Sequence, residues 1–372
     1  MSQHTAVLAP SSRVPPELTP AASGQAPLVV MPSAVCDAEA RRETTRQLAA
    51  DVEGATGASV LVGEAQLNND VRGILWLDTG VKHLDILEDA LTRFPGIGWV
   101  GVPMAGCGHY GPVMRRFPGK IWTSAKGAYA QPVAEHALAL ALALLRNLPT
   151  RIRATSWGPA TGLSLFGLRV TVLGAGGITL SLLSLLAPFK NRVTVLRRRA
   201  DEGLEASLVP AGLDVSVGAL ADLKSILPET DVLIIACALT PLTKHVIGAP
   251  ELALMKPSSI LVNVARGEHV VTPALVEALR EGRIAGAGID VTDPEPLPEG
   301  HELWTLESSH PDVSSHGPGG GAGRANLIIT PHTADTPEMV APLLAQRFKR
   351  NALALSRGDG EFEGVVDVEQ GY

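Results

Sequence analysis

Three side chains in the C-terminal half of the chain have types and settings suited to chemistry on a carbonyl. Arg266 stands in Asn263-Val264-Ala265-Arg266-Gly267, Glu295 in Asp290-Val291-Thr292-Asp293-Pro294-Glu295-Pro296, and His332 in Thr330-Pro331-His332-Thr333. A guanidinium holds a carboxylate through two parallel charge-assisted hydrogen bonds. An imidazole delivers a proton near neutral pH, and a carboxylate against it fixes its tautomer and favours the imidazolium. Singly, each residue has an ordinary reading: a surface arginine in a turn, a solvated carboxylate between prolines, a structural histidine. Together they are what the reduction of a 2-oxo acid needs. Arg266 would bind the carboxylate and polarise the carbonyl, His332 would supply the proton, and Glu295 would orient His332.

The elements that must position them are apolar runs ending just before each turn: Ile260 to Asn263, Ile284 to Ile289 and Leu327 to Ile329. They read as strands of a parallel sheet, whose C-terminal edge is where open α/β sheets bind ligands. The strongest cue to a ligand lies upstream, in Arg169 to Arg199. An apolar run, Val170 to Leu173, turns through Gly174, Gly176 and Gly177 into a helical pattern from Ile178 to Phe189, then a second run, Val193 to Leu196. In such a βαβ unit the first glycine permits the tight turn, the second lets backbone approach a pyrophosphate, and the helix N-terminus faces the phosphates. Glycines in such a turn are also commonly structural. Thr179 stands where a third glycine is usual, so helix and strand should pack less closely. The second run ends in Arg197 and Arg198, in the region of an adenosine ribose, with no carboxylate before Asp201. Either the arginines form a solvated loop or they meet a 2′-phosphate. The missing acid favours NADP(H), with NAD(H) as the alternative.

Residues 1–26, rich in Ala, Ser and Pro, read as a disordered tail. Strands alternating with helices predict two doubly wound α/β domains: 27–126 joined by 337–372, and 127–336. A long apolar helix, Pro132 to Leu148, should be buried between domains or against a second subunit. The Gly/Ser/Pro-rich stretch 308–325 reads as a flexible surface insertion. A net charge of −7 gives no reason to expect nucleic acid or an anionic membrane as partner. The apolar stretch Ala137 to Leu145 is too short to span a bilayer. Cys36, Cys107 and Cys237 lack metal-ligand spacing and read as reduced thiols. With no basic, apolar leader pattern, the chain is expected to be cytoplasmic.

From roughly residue 97 to 350 the chain resembles the D-isomer-specific 2-hydroxyacid dehydrogenases, in particular glyoxylate/hydroxypyruvate reductases. The motifs Gly174-x-Gly176-x-Ile178, Leu239-Thr240-Pro241 with Thr243, Met255-Lys256-Pro257, Asn263-x-x-Arg266-Gly267, Asp290-Val291, Pro294-Glu295-Pro296 and Thr330-Pro331-His332 carry the resemblance in order and spacing. It implies a flavodoxin-like, discontinuous substrate domain and a Rossmann-type dinucleotide-binding domain. It implies Arg266, Glu295 and His332 as catalytic residues, and Thr240, Val264 and Ala265 on the cofactor. Asp290 would meet the nicotinamide carboxamide, and the Ala105-Gly106 turn the substrate carboxylate. Pro132 to His136 would begin a helix that pairs subunits in a homodimer. Three departures stand out: Thr179, Arg197 where an acid is usual, and the insertion 308–325. A different class of function on the same fold is a dinucleotide-sensing corepressor or scaffold with little turnover.

Overall fold

The structure, a computed structural model, describes residues 28–31, 39–80, 82–310, 323–358 and 361–369. The expected tail 1–26 lies outside the described residues. The chain divides into two units, residues 1–129 with 337–372, and residues 130–336.

The first unit contains β1 (Leu28–Met31), α1 (Glu39–Thr56), β2 (Val60–Val62), β3 (Val71–Leu75), α2 (Leu84–Arg93), β4 (Trp99–Gly101), α3 (Gly111–Arg116) and β5 (Ile121–Thr123). Its five strands are parallel, in the order β2-β1-β3-β4-β5. That is the flavodoxin order. The last helix, α10 (Pro337–Arg357), lays Phe348 and Leu355 against this sheet. A Cβ on Gly101 would stand 3.0 Å from the Phe348 ring, so the helix rests directly on β4. Buried Arg347 donates to the carbonyls of Ser124 and Lys126, tying α10 to the turn after β5.

The second unit begins with α4 (Ala130–Leu145) and α5 (Leu148–Arg151), then β6 (Arg169–Leu173), α6 (Gly177–Leu186), β7 (Arg192–Arg197) and β8 (Asp214–Ala219). It continues with α7 (Leu223–Ile226), β9 (Val232–Ile235), α8 (Ala249–Leu254), β10 (Ile260–Asn263), α9 (Thr272–Arg280), β11 (Gly286–Ile289), a short ribbon of β12 (Glu307–Ser308) and β13 (Gly323–Arg324), and β14 (Leu327–Ile329). Seven parallel strands form the sheet, in the order β14-β11-β10-β9-β6-β7-β8. β9, β10 and β11 are buried at every position, as continuous apolar runs in a parallel sheet covered on both faces require. Strand order reverses between β6 and β9, which places the switch-point crevice beyond Leu173 and Ile235.

α4 packs within its own unit. Val133, Ala137, Leu140, Ala141 and Leu144 are buried, and a Cβ on Gly288 of β11 would stand 3.1 Å from Leu140. Glycine in β11 therefore lets the helix approach the sheet. A difference from expectation concerns 308–325, of which 311–322 lie outside the described residues. The ends of this stretch are anchored, contrary to the expectation of a loose insertion. Ser308 and His310 are buried, and β12 pairs antiparallel with β13. The Ser308 hydroxyl donates to the Leu279 carbonyl, and Ser309 N–H to that of Arg280, so these serines satisfy the open C-terminus of α9. Composition carries no period there, but the polar side chains find backbone partners.

Candidate active site

The glycine turn after β6 has the conformation its sequence predicts. Gly174 has φ of +105°, and a Cβ there would lie 2.6 Å from the Ala236 carbonyl oxygen, so only glycine fits. Gly176 opens α6, no side chain caps that helix start, and a Cβ on Gly176 would meet nothing within 4 Å. A helix N-terminus with open space before it suits a pyrophosphate. Thr179 stands at the third glycine position. Its side chain is buried and its hydroxyl donates to the Gly174 carbonyl at 2.8 Å, stitching the helix to the turn. Across the crevice, the Thr243 hydroxyl donates to the Ala238 carbonyl at 2.7 Å and accepts from Thr240 N–H at 2.8 Å, which shapes the loop after β9. Arg197 ends β7 where the ribose was expected, but its guanidinium donates to the Gly203 carbonyl. Arg198 is exposed.

Sheet register brings the three chemistry-bearing turns to one edge. Asn263 of β10 lies opposite Ile289 of β11, and Ile289 opposite Ile329 of β14. The turns that follow therefore leave the sheet at one level. A Cβ on Gly267 would stand 2.0 Å from the Thr292 carbonyl oxygen, so the backbone of the Arg266 turn presses on the turn that carries Glu295. Asn263 braces the Arg266 turn, donating from its amide to the Arg266 carbonyl at 2.9 Å and accepting from Ala265 N–H at 3.1 Å. Val264 and Ala265 are buried beneath it. Glu295 Oε1 meets His332 Nδ1 at 2.6 Å, and the two side chains are 40% and 45% exposed. The second oxygen of Glu295 accepts from Thr292 N–H at 3.2 Å. With Nδ1 taken, Nε2 is the ring nitrogen left to exchange a proton with a substrate.

His332 has φ of +54°, a left-handed backbone that costs on the order of 1 kcal/mol in a non-glycine residue. It is held there by Asp290, whose carbonyl accepts from His332 N–H at 2.8 Å. The Asp290 carboxylate is almost wholly buried. Its Oδ1 accepts from the Thr330 hydroxyl at 2.6 Å and from Thr333 N–H at 2.9 Å, and its Oδ2 from Ala334 N–H at 3.1 Å. This carboxylate is engaged chiefly by the histidine loop, whereas the resemblance assigns it to a nicotinamide carboxamide. Oδ2 accepts a single bond. Two further residues join this edge, neither of them assigned to the site by the sequence alone. His136 Nε2 lies 3.0 Å from the Thr330 hydroxyl and 3.6 Å from Asp290 Oδ1. Asp335 is half-buried within electrostatic reach of His332, Arg266 and Asp290, and burial raises its pKa above the ordinary carboxyl value.

One arrangement mimics a nucleophile. Cys237 Sγ lies 3.4 Å from His269 Nε2, but burial pushes the thiol up to about 12 and lowers the imidazole pKa. Both groups stay neutral near pH 7, so the pair packs rather than reacts. Ala105 and Gly106 belong to the first unit, in the turn after β4, with Ala105 exposed. No helix of the described residues is long and apolar enough to cross a membrane, and no His, Cys, Asp or Glu cluster among them could hold a metal ion.

Residues 138–334 match the family described as D-isomer specific 2-hydroxyacid dehydrogenase, NAD binding domain. An uncharacterised protein of Corynebacterium melassecola is 35% identical over 257 residues, covering 68% of this chain and 76% of that one. The glyoxylate reductase of Pyrococcus furiosus is 30% identical over 253 residues, covering 64% of this chain and 66% of that one, just under two thirds of its length. Among solved structures, a D-isomer specific 2-hydroxyacid dehydrogenase from Xanthobacter autotrophicus Py2, in complex with NADPH and MES, superposes with a TM-score of 0.70 at 25% identity, covering 93% of this chain and all of that one. With its Rossmann-type unit, its glycine turn and its Arg–Glu–His edge, the chain belongs to the D-isomer specific 2-hydroxyacid dehydrogenase family.

Proposed function

We propose that this protein is a nicotinamide-dependent reductase of small 2-oxo acids, of which glyoxylate and hydroxypyruvate are the leading candidates. The observation that carries the reading is the Glu295–His332 pair standing beside the Arg266 turn at the level ends of β10, β11 and β14. A bound nicotinamide dinucleotide supplies the hydride. Gly174, Gly176, Gly177 and Ile178 would receive its pyrophosphate, and Thr240, Val264, Ala265 and Asp290 Oδ2 would line its nicotinamide half. Arg266 binds the 2-oxo acid's carboxylate and draws electron density from its carbonyl. His332 donates a proton from Nε2 to the carbonyl oxygen as C2 is reduced, and Glu295 steadies the resulting ring at Nδ1. In the reverse direction His332 takes the hydroxyl proton. Ala105 and Gly106 are assigned to the substrate carboxylate from the family resemblance alone. Nothing observed favours a corepressor or scaffold.

NADPH is the preferred reductant in this proposal, supported by two arginines and no acid at the end of β7. Arg197 or Arg198 is the main contact for the 2′-phosphate in this reading. A homodimer is also part of the reading. It is supported by the apolar surface that follows α4, where Ile152 is 78%, Trp157 103% and Phe166 61% exposed. A cytoplasmic location accords with the free thiols of Cys107 and Cys237.

Steady-state assays with glyoxylate, hydroxypyruvate and longer 2-oxo acids, each with NADPH and NADH, test the proposal. Turnover is expected, with higher kcat/KM for NADPH and loss of that preference in Arg197→Asp/Arg198→Ala. Absence of turnover on every 2-oxo acid, with nucleotide still binding, would overturn the enzymatic reading in favour of a sensor.

A further inference from the structure

We propose that His136, on α4, is a positioning residue for His332, acting through Thr330 and Asp290. The inference deepens the reductase reading and rests on it for the role of His332. The hydrogen bonds run in one direction. An ionised carboxylate only accepts, so the Thr330 hydroxyl must give its proton to Asp290 Oδ1 at 2.6 Å. The Thr330 oxygen is then an acceptor, and His136 Nε2, 3.0 Å away, must donate to it. His136 therefore carries a proton on Nε2, turned toward a carboxylate that is 1% exposed.

That carboxylate organises the catalytic loop. It holds the amides of Thr333 and Ala334, while the Asp290 carbonyl holds His332 N–H and with it the left-handed turn. A buried carboxylate needs every donor it has, because desolvation is not otherwise offset. Removing the His136 donor leaves the Thr330 oxygen without its partner, and the Thr330–Asp290 bond loses the polarisation that donor lends it. The hold of Asp290 on residues 330–334 then loosens, and the His332 ring loses its fixed approach to Glu295. Misplacement of a reacting group by about 1 Å costs on the order of 10²-fold in rate. Charged groups reach His332 from two sources: Glu295 at its Nδ1, and Asp335 on its own loop. His136 reaches this loop through Thr330 and Asp290.

The test compares His136→Leu with His136→Gln, whose amide nitrogen keeps a donor at similar reach, and Thr330→Val with Thr330→Ser. In the full chain with NADPH and glyoxylate, His136→Leu and Thr330→Val are each expected to lower kcat by roughly 10- to 100-fold. KM for glyoxylate and Kd for NADPH should stay within about threefold, a magnitude below the loss expected from removing one binding contact. His136→Gln and Thr330→Ser should recover most of the rate. Proton NMR gives a readout independent of turnover. The low-field Nδ1 proton of His332, identified by its loss in His332→Gln, should broaden or vanish in His136→Leu and Thr330→Val and return in the conservative variants. A wild-type enzyme without 2-oxo acid turnover would sink the reductase reading alone, and the NMR comparison would still decide this one. An unaltered His332 resonance in both disruptive variants, or a Gln variant no better than Leu, would overturn it. If His136→Leu fails to fold, the Thr330→Val and Thr330→Ser pair decides the matter by the same two readouts.

Discussion

Two carboxylate–imidazole pairs stand at the same sheet edge and differ in their surroundings. Glu295 and His332 meet at 2.6 Å with side chains 40% and 45% exposed. Asp290 and His136 lie 3.6 Å apart, bridged by Thr330, with side chains 1% and 21% exposed. A pair in contact with water contributes little to stability, about 0–1 kcal/mol, and can exchange protons with solvent or substrate. A buried carboxylate must be saturated with donors, and those donors become fixed in space. The same two groups are therefore open to solvent in one place and fixed in the other, and burial decides which.

The sharpest break of this comparison comes from truncating one member of each pair. His332→Ala should lose about 10²–10⁴-fold in kcat/KM for reduction, with little change in Tm, because the lost side chain is exposed. Asp290→Ala should lose activity and also melt earlier. It strands the Thr330 hydroxyl and the amides of Thr333 and Ala334, each costing about 1–3 kcal/mol when buried without a partner. Parallel kinetic and thermal-denaturation measurements would find equal Tm values for the two variants if the distinction is wrong.

Arg266→Ala should approach the same kinetic loss without touching either pair. Two charge-assisted bonds at about 1.5–3 kcal/mol each correspond to roughly 10²–10⁴-fold in kcat/KM, with nucleotide affinity nearly unchanged. Near-normal turnover would remove Arg266 from substrate binding. Glu295→Gln should have a smaller effect, about tenfold, since the amide keeps a hydrogen bond and loses only the charge. Reduction needs the imidazolium, which a neutral partner stabilises less. Unchanged kcat/KM in Glu295→Gln would exclude Glu295 from the mechanism.

The smallest expected effect is at Asp335. Burial raises its pKa, so the folded state binds this proton more tightly than the unfolded chain does. The resulting stability is present in full below the ordinary carboxyl range and is lost as pH rises through the raised value. Asp335→Asn should abolish that loss, giving a Tm that changes less between acid and neutral pH than the wild type. A wild-type slope retained in the variant would refute the assignment.

Much of the site is legible in the sequence because its cues are local. Ile260 to Asn263 and Leu327 to Ile329 are apolar runs that announce strands, and Arg266 and His332 follow each by three residues. β8 carries no such cue, because Asp214–Ala219 offers only Val215 and Val217 as sizeable apolar residues on an edge strand. At Thr179 the sequence shows the bulk but not that the hydroxyl donates to the Gly174 carbonyl. Composition misleads at the ends of 308–325, because polar residues that satisfy a helix C-terminus leave no hydrophobic period.

By itself the sequence determined that the long apolar runs are strands, which turn needs glycine, and which chemical groups leave the strand ends. Each depends on a few neighbouring residues. Only the tertiary structure decided that β10, β11 and β14 lie side by side in level register, and that the turns after β10 and β11 touch at Gly267. It alone brought His136 to Thr330, which is 194 positions away in the chain. The physical reason is that such meetings depend on how α4 settles on the sheet over Gly288, a packing outcome with no local signature.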